Sequence, residues 1–102
     1  MPDACAHKHF ETRYLGTDPF EGRYADVSIE TCTDCGQLWV RYQFEFEAFT
    51  GSGRWYRGEI DAAQASTLEA TNAAKLLESL PSYTAGGSYF RGHVHQRSGR
   101  LV

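Results

Sequence analysis

The sequence predicts an α+β fold, an antiparallel sheet of three or four strands with one helix packed on its apolar face. Three observations carry it. Leu38, Val40, Tyr42, Phe44, Phe46 and Ala48 alternate with Trp39, Arg41, Gln43, Glu45 and Glu47. A period of two puts the first set on one face of a strand and the mostly polar set on the other. Ala25, Val27, Ile29 and Thr31 alternate in the same way with Tyr24, Asp26, Ser28 and Glu30. Further on, Leu68, Ala73, Leu76, Leu77 and Leu80 recur at roughly helical spacing, the stripe of a helix that buries one side.

In chain order, His9 to Leu15 is a candidate strand, followed by the strand over 24–31 and the long strand over 38–48. The turn Thr50-Gly51-Ser52-Gly53 then leads into Arg54-Trp55-Tyr56-Arg57-Gly58-Glu59-Ile60, the returning arm of a hairpin. Asp61 to Ala65 reads as a separate short turn. Ser66-Thr67-Leu68-Glu69 matches a capping box, in which a Ser and the Glu three residues on satisfy the orphan amides of a helix start. That predicts a helix over 67–79, stopped by Pro81. Residues 83–102 read as an irregular segment, with Gly86-Gly87 allowing a sharp reversal and Tyr83, Tyr89 and Phe90 covering an edge of the core. The turn-rich stretches are short and no repeat appears. A single domain over 1–102 is therefore expected, with a ribbon and hairpin over 5–60, a helix over 61–82 and the irregular segment over 83–102.

Length and composition agree with that. A chain of 102 residues with 41% apolar and 23% charged residues excludes collagen-like, mucin-like and wholly disordered readings. No stretch approaches the ~20 apolar residues of a membrane span. The start, Met1-Pro2-Asp3-Ala4-Cys5, lacks the basic-then-apolar pattern of a signal peptide. The expectation is a cytoplasmic protein with reduced thiols.

Charge bears on partners. Residues 1–60 hold six basic and ten acidic residues, a balance of −4, whereas residues 83–102 hold Arg91, Arg97 and Arg100 and no acid. A duplex-binding domain shows a strong basic surplus. Here phosphate could meet only the tail, aided by Arg54 and Arg57, and the plainer reading of that tail is a solvated terminus.

The cysteines carry the chemistry. Cys5 is followed two residues on by His7, and Cys32-Thr33-Asp34-Cys35-Gly36 is a CxxCG knuckle between two expected strands. CxxC brings two thiolates to one point, about 2.3 Å from a zinc ion, and Gly36 permits the positive φ beneath it. Cys5 and His7 supply the other two corners of a tetrahedral Cys3His site, which uses every cysteine in the chain. A redox CxxC places its first thiolate at a helix N-terminus. Gly36-Gln37-Leu38-Trp39-Val40 leads into a strand instead.

This spacing resembles a zinc ribbon over about residues 5–49. The resemblance implies zinc ligands at Cys5, His7, Cys32 and Cys35, with the metal standing in for hydrophobic core. The first pair is Cys-x-His rather than the more usual Cys-x-x-Cys, which leaves either His7 or His9 as the imidazole. Residues 54–102 lie outside the ribbon pattern and resemble the helical tail of small uncharacterised bacterial proteins, a likeness that implies no activity.

Four protein ligands leave no position for water, so the zinc is expected to be structural and the protein not an enzyme. A three-cysteine site with a vacancy and Glu30 or Asp34 as base is the catalytic variant. His93 and His95 would face one side of a strand and could share a second metal; the plainer reading is two exposed histidines. No phosphate loop, GxSxG or HExxH is present. The function expected is a zinc-stabilised protein-interaction module, binding a protein partner or a second copy, with nucleic-acid binding as the alternative. Trp39, Trp55 and Tyr56 are the candidate contacts, or else they are core or sheet cover. Homodimerisation through the edge of the long strand is a further possibility.

Overall fold

The computed structural model describes residues 6, 8–20, 23–44, 54–87 and 94–100. Among them are six strands: β1 (Phe10–Phe20), β2 (Arg23–Cys32), β3 (Leu38–Phe44), β4 (Arg54–Ile60), β5 (Tyr83–Gly87) and β6 (His95–Arg97). They form one antiparallel sheet whose spatial order is their order in the chain. Helix α1 (Ala62–Thr67), a 3-10 turn (Ala70–Asn72) and helix α2 (Ala73–Ser79) lie between β4 and β5.

This corrects the expected fold. The sheet has six strands rather than three or four, and two short helices replace the single one. The segment after Pro81 is not irregular throughout: Tyr56↔Ala85 and Arg57↔Thr84 pair β5 onto β4, and Thr84↔Gln96 pairs β6 onto β5. Two neighbouring glycines are poor strand formers, but Gly86 sits where a larger residue does not fit. A Cβ there would lie 2.6 Å from Cζ2 of Trp55, whose indole covers that backbone.

The helix boundary also differs. The expected cap at Ser66 is taken over by an equivalent pair five residues earlier, directly after β4. The Gln64 amide donates to Asp61 Oδ1 (2.7 Å) and the Asp61 amide to Gln64 Oε1 (2.8 Å). Ser66 falls in the last turn of α1 and donates to the Ala63 carbonyl at 2.7 Å. The stop holds as expected: Leu80 is extended (φ −72, ψ 150) ahead of Pro81.

Alternation assigns the core. Ala25, Val27 and Ile29 of β2, Val40 and Tyr42 of β3, and Tyr56 and Ile60 of β4 face Leu68, Ala73, Leu77 and Leu80, all buried. Gly58, opposite Val40, is the floor on which α2 rests. A Cβ there would clash with Leu80 and lie 2.9 Å from Cδ2 of Leu77.

One polar pair lies in this core. A bulge between Tyr14 and Gly16, with Gly16 at φ +120, shifts the register of β1 and leaves Asp18 opposite Ala25 on the buried side. The Tyr42 hydroxyl donates to Asp18 Oδ2 at 2.5 Å. Burial, and then the Asp18 carboxylate, raise the Tyr42 pKa well above its ordinary value. Its stabilising effect is complete below pH ~10 and is lost as pH rises through the folded value. Tyr42→Phe leaves Asp18 buried without this donor and should lower stability by about 2 kcal/mol in urea melts at neutral pH.

Candidate metal centre

The knuckle is the turn between β2 and β3. The Cys32 amide donates to the Gln37 carbonyl (2.9 Å) and the Gly36 amide to the Cys32 carbonyl (2.8 Å). Gly36 takes φ +80, a conformation that favours glycine. Cys32 is buried and Cys35 exposed, and no disulfide joins them. A CxxC turn with one thiol at the sheet end and one at the surface has the soft donor chemistry that zinc takes.

The start of β1 is docked on this turn. The Thr33 amide and hydroxyl both donate to the His9 carbonyl, at 3.0 and 3.3 Å. Phe10 stands opposite Cys32. His9 Nδ1 lies 3.1 Å from Asp34 Oδ2 within the knuckle, both side chains being largely exposed.

Cys5 and His7, two of the four expected ligands, lie outside the described residues, as does His93. Among the described residues no three of His, Cys, Asp and Glu stand close enough to share an ion. His9 therefore does not make a three-donor group with Cys32 and Cys35, and its ring is engaged by Asp34. The two carboxylates considered as bases are occupied. Asp34 holds His9, and Glu30 Oε1 accepts from Arg57 Nε at 2.6 Å.

The aromatic candidates are core or sheet cover. Tyr56 is in the core and Trp39, on the helix-free face, is only 5% exposed. The ring of Phe10 meets Trp39 edge-on at 5.4 Å, and the Arg57 guanidinium lies 4.2 Å from the Trp39 ring. Trp55, half-buried, is covered by Arg41 at 5.3 Å, and Gln43 Oε1 accepts from that guanidinium at 3.0 Å. Arg57, invoked for phosphate, is thus committed to Glu30 and Trp39, and Arg97 donates to the Arg100 carbonyl at 3.2 Å. His95, on β6, is exposed.

Period-two alternation could not see this second layer, because Trp39 and Arg57 sit at positions that read as solvent-facing. The signal available was the register: hairpin pairing aligns Arg57 beside Arg41, next to Trp39 and Trp55. Among the described residues the exposed large hydrophobics are instead Phe10 (38%), Tyr14 (60%), Tyr24 (69%) and Val94 (66%). No described helix is long and apolar enough to cross a membrane. The chain matches no protein-family model, no curated protein and no solved structure.

Proposed function

We propose that the protein binds one structural zinc ion through Cys5, His7, Cys32 and Cys35, in the manner of a zinc ribbon, and serves as an interaction module rather than an enzyme. The observation that carries this reading is the docking of His9 on Thr33, inside the Cys32–Gly36 turn. Cys5 precedes His9 by four residues, so the chain can hold the remaining donors no further than about 14 Å from the His9 backbone. Among the described residues His9 forms no three-donor group with Cys32 and Cys35, which supports His7 as the imidazole ligand. Four protein ligands close the coordination sphere, so the metal acts by tying the chain start to the β2–β3 turn. The exposed Phe10 and Tyr14 support an interaction role.

Metal analysis of the purified protein, with circular dichroism before and after chelation, tests this. The expected result is about one zinc per chain and loss of the fold when it is removed, since structural zinc contributes on the order of 10 kcal/mol. A metal-replete preparation that is folded and free of zinc would refute it.

A further inference from the structure

We infer that β1 is a self-complementary docking edge, through which two copies of this chain pair antiparallel about Thr12. The inference does not depend on the zinc reading. Strand β1 is an outermost strand, and among the described residues nothing pairs with its far side. Which of its backbone groups point outward follows from the register. His9 and Thr33 are joined by a ladder-type bond, Thr33 N–H to the His9 carbonyl, next to the Phe10↔Cys32 pair. In an antiparallel ladder, residues that bond inward alternate with residues whose N–H and C=O point the other way. Glu11 and Arg13 therefore bond towards β2, and Phe10, Thr12 and Tyr14 present their N–H and C=O groups to the free edge.

That set is what a twofold axis at Thr12 needs. Thr12 of one copy meets Thr12 of the other, and Phe10 meets Tyr14, each pair exchanging both of its backbone hydrogen bonds. The side chains agree with the backbone. The stretch Phe10-Glu11-Thr12-Arg13-Tyr14 reads as aromatic, acid, threonine, base, aromatic. In this register Glu11 lies against Arg13 of the second copy on one face, and Phe10 against Tyr14 on the other. Opposite charges and aromatic pairs directly across strands are the stabilising combinations. All of these residues are exposed.

The rest of the strand is guarded. The bulge at Tyr14/Gly16 breaks the ladder and Pro19 lacks an N–H; both are devices that keep an edge from pairing. Only residues 10–14 combine an unbroken ladder with matched charges. The one edge dimerisation foreseen from the sequence, along the strand starting at Leu38, is closed to that strand over its described residues, because β2 and β4 flank β3.

Sedimentation equilibrium on the protein as purified, over a range of concentrations, tests the pairing. The wild type should approach twice the 11.5 kDa chain mass as concentration rises. Glu11→Arg opposes two arginines at each crossing and should weaken association about tenfold or more. Glu11→Arg with Arg13→Glu restores opposite charges and should recover it. Circular dichroism verifies folding, and if Glu11→Arg fails to fold, Arg13→Glu alone makes the same comparison. A wild type monomeric at every concentration overturns the inference. So does a folded charge-reversal variant that associates normally, or a folded double variant that associates no better than the single one.

Discussion

Cys35→Ser is expected to unfold the zinc-loaded protein at room temperature or to lower its thermal midpoint by more than 20 °C. Cys35 is exposed at the tip of the β2–β3 turn, and an exposed substitution ordinarily shifts stability by about 0.5 kcal/mol or less. If Cys35 is a zinc ligand, its loss removes much of a binding energy of order 10 kcal/mol. A domain of this size has a total stability of about 5–10 kcal/mol. Cys32→Ser is a poorer probe, because Cys32 is fully buried and a hydroxyl there is unfavourable with or without a metal. The comparison is therefore a pair of melts, wild type against Cys35→Ser, with zinc and again after chelation. A midpoint change below about 4 °C in zinc, about 1 kcal/mol for ~100 residues, rules Cys35 out as a ligand.

Gly58→Ala is expected to destabilise the protein by about 2–3 kcal/mol. It lies mid-strand, at a position where alanine is ordinarily no worse than glycine, so strand propensity does not foresee a loss. The penalty comes from α2: the added methyl enters the space of Leu80 and of Leu77 Cδ2. Both leucines are buried, so their side chains must leave their packed positions and disturb the contact of α2 with the sheet. Urea unfolding measures the loss. The cause is separable, because Leu80→Ala removes the nearest obstructing group. Gly58→Ala in that background should lose at least 1 kcal/mol less than in the wild type, a coupling read from the double-mutant cycle. Equal losses in both backgrounds would place the cause in the strand backbone instead.

The parts of this fold that were legible in the sequence are those set by local periodicity. Val27, Ile29, Val40 and Tyr42 alternate as a half-buried sheet requires, and all are buried. Pro81 marks the end of α2. What was not legible depends on neighbours distant in the chain. Strand β5 carries two glycines and reads as a reversal until Trp55 is laid across Gly86. Strand β6 is three residues long, too short to show a period. Asp18 lies beyond the candidate strand over His9 to Leu15, and only the Gly16 bulge carries it under the sheet to meet Tyr42. For the candidate metal centre, the CxxCG spacing marked the knuckle, and the turn at Gly36 has the expected backbone sign. The spacing could not separate His7 from His9, because both follow Cys5 within four residues and either imidazole completes the same donor set.

Because each strand's partner is the one made just before it, assembly can keep pace with synthesis. At translation speeds of about 5–20 residues per second, β2 finds β1 already outside the ribosome, β3 finds β2, and so on along the chain. Only the step from β4 to β5 must wait, for the 22 residues between Ile60 and Tyr83 that bring α1 and α2. Fragments ending after Ile60 should therefore hold a paired sheet whose apolar face is not yet covered by Leu68, Ala73, Leu77 and Leu80.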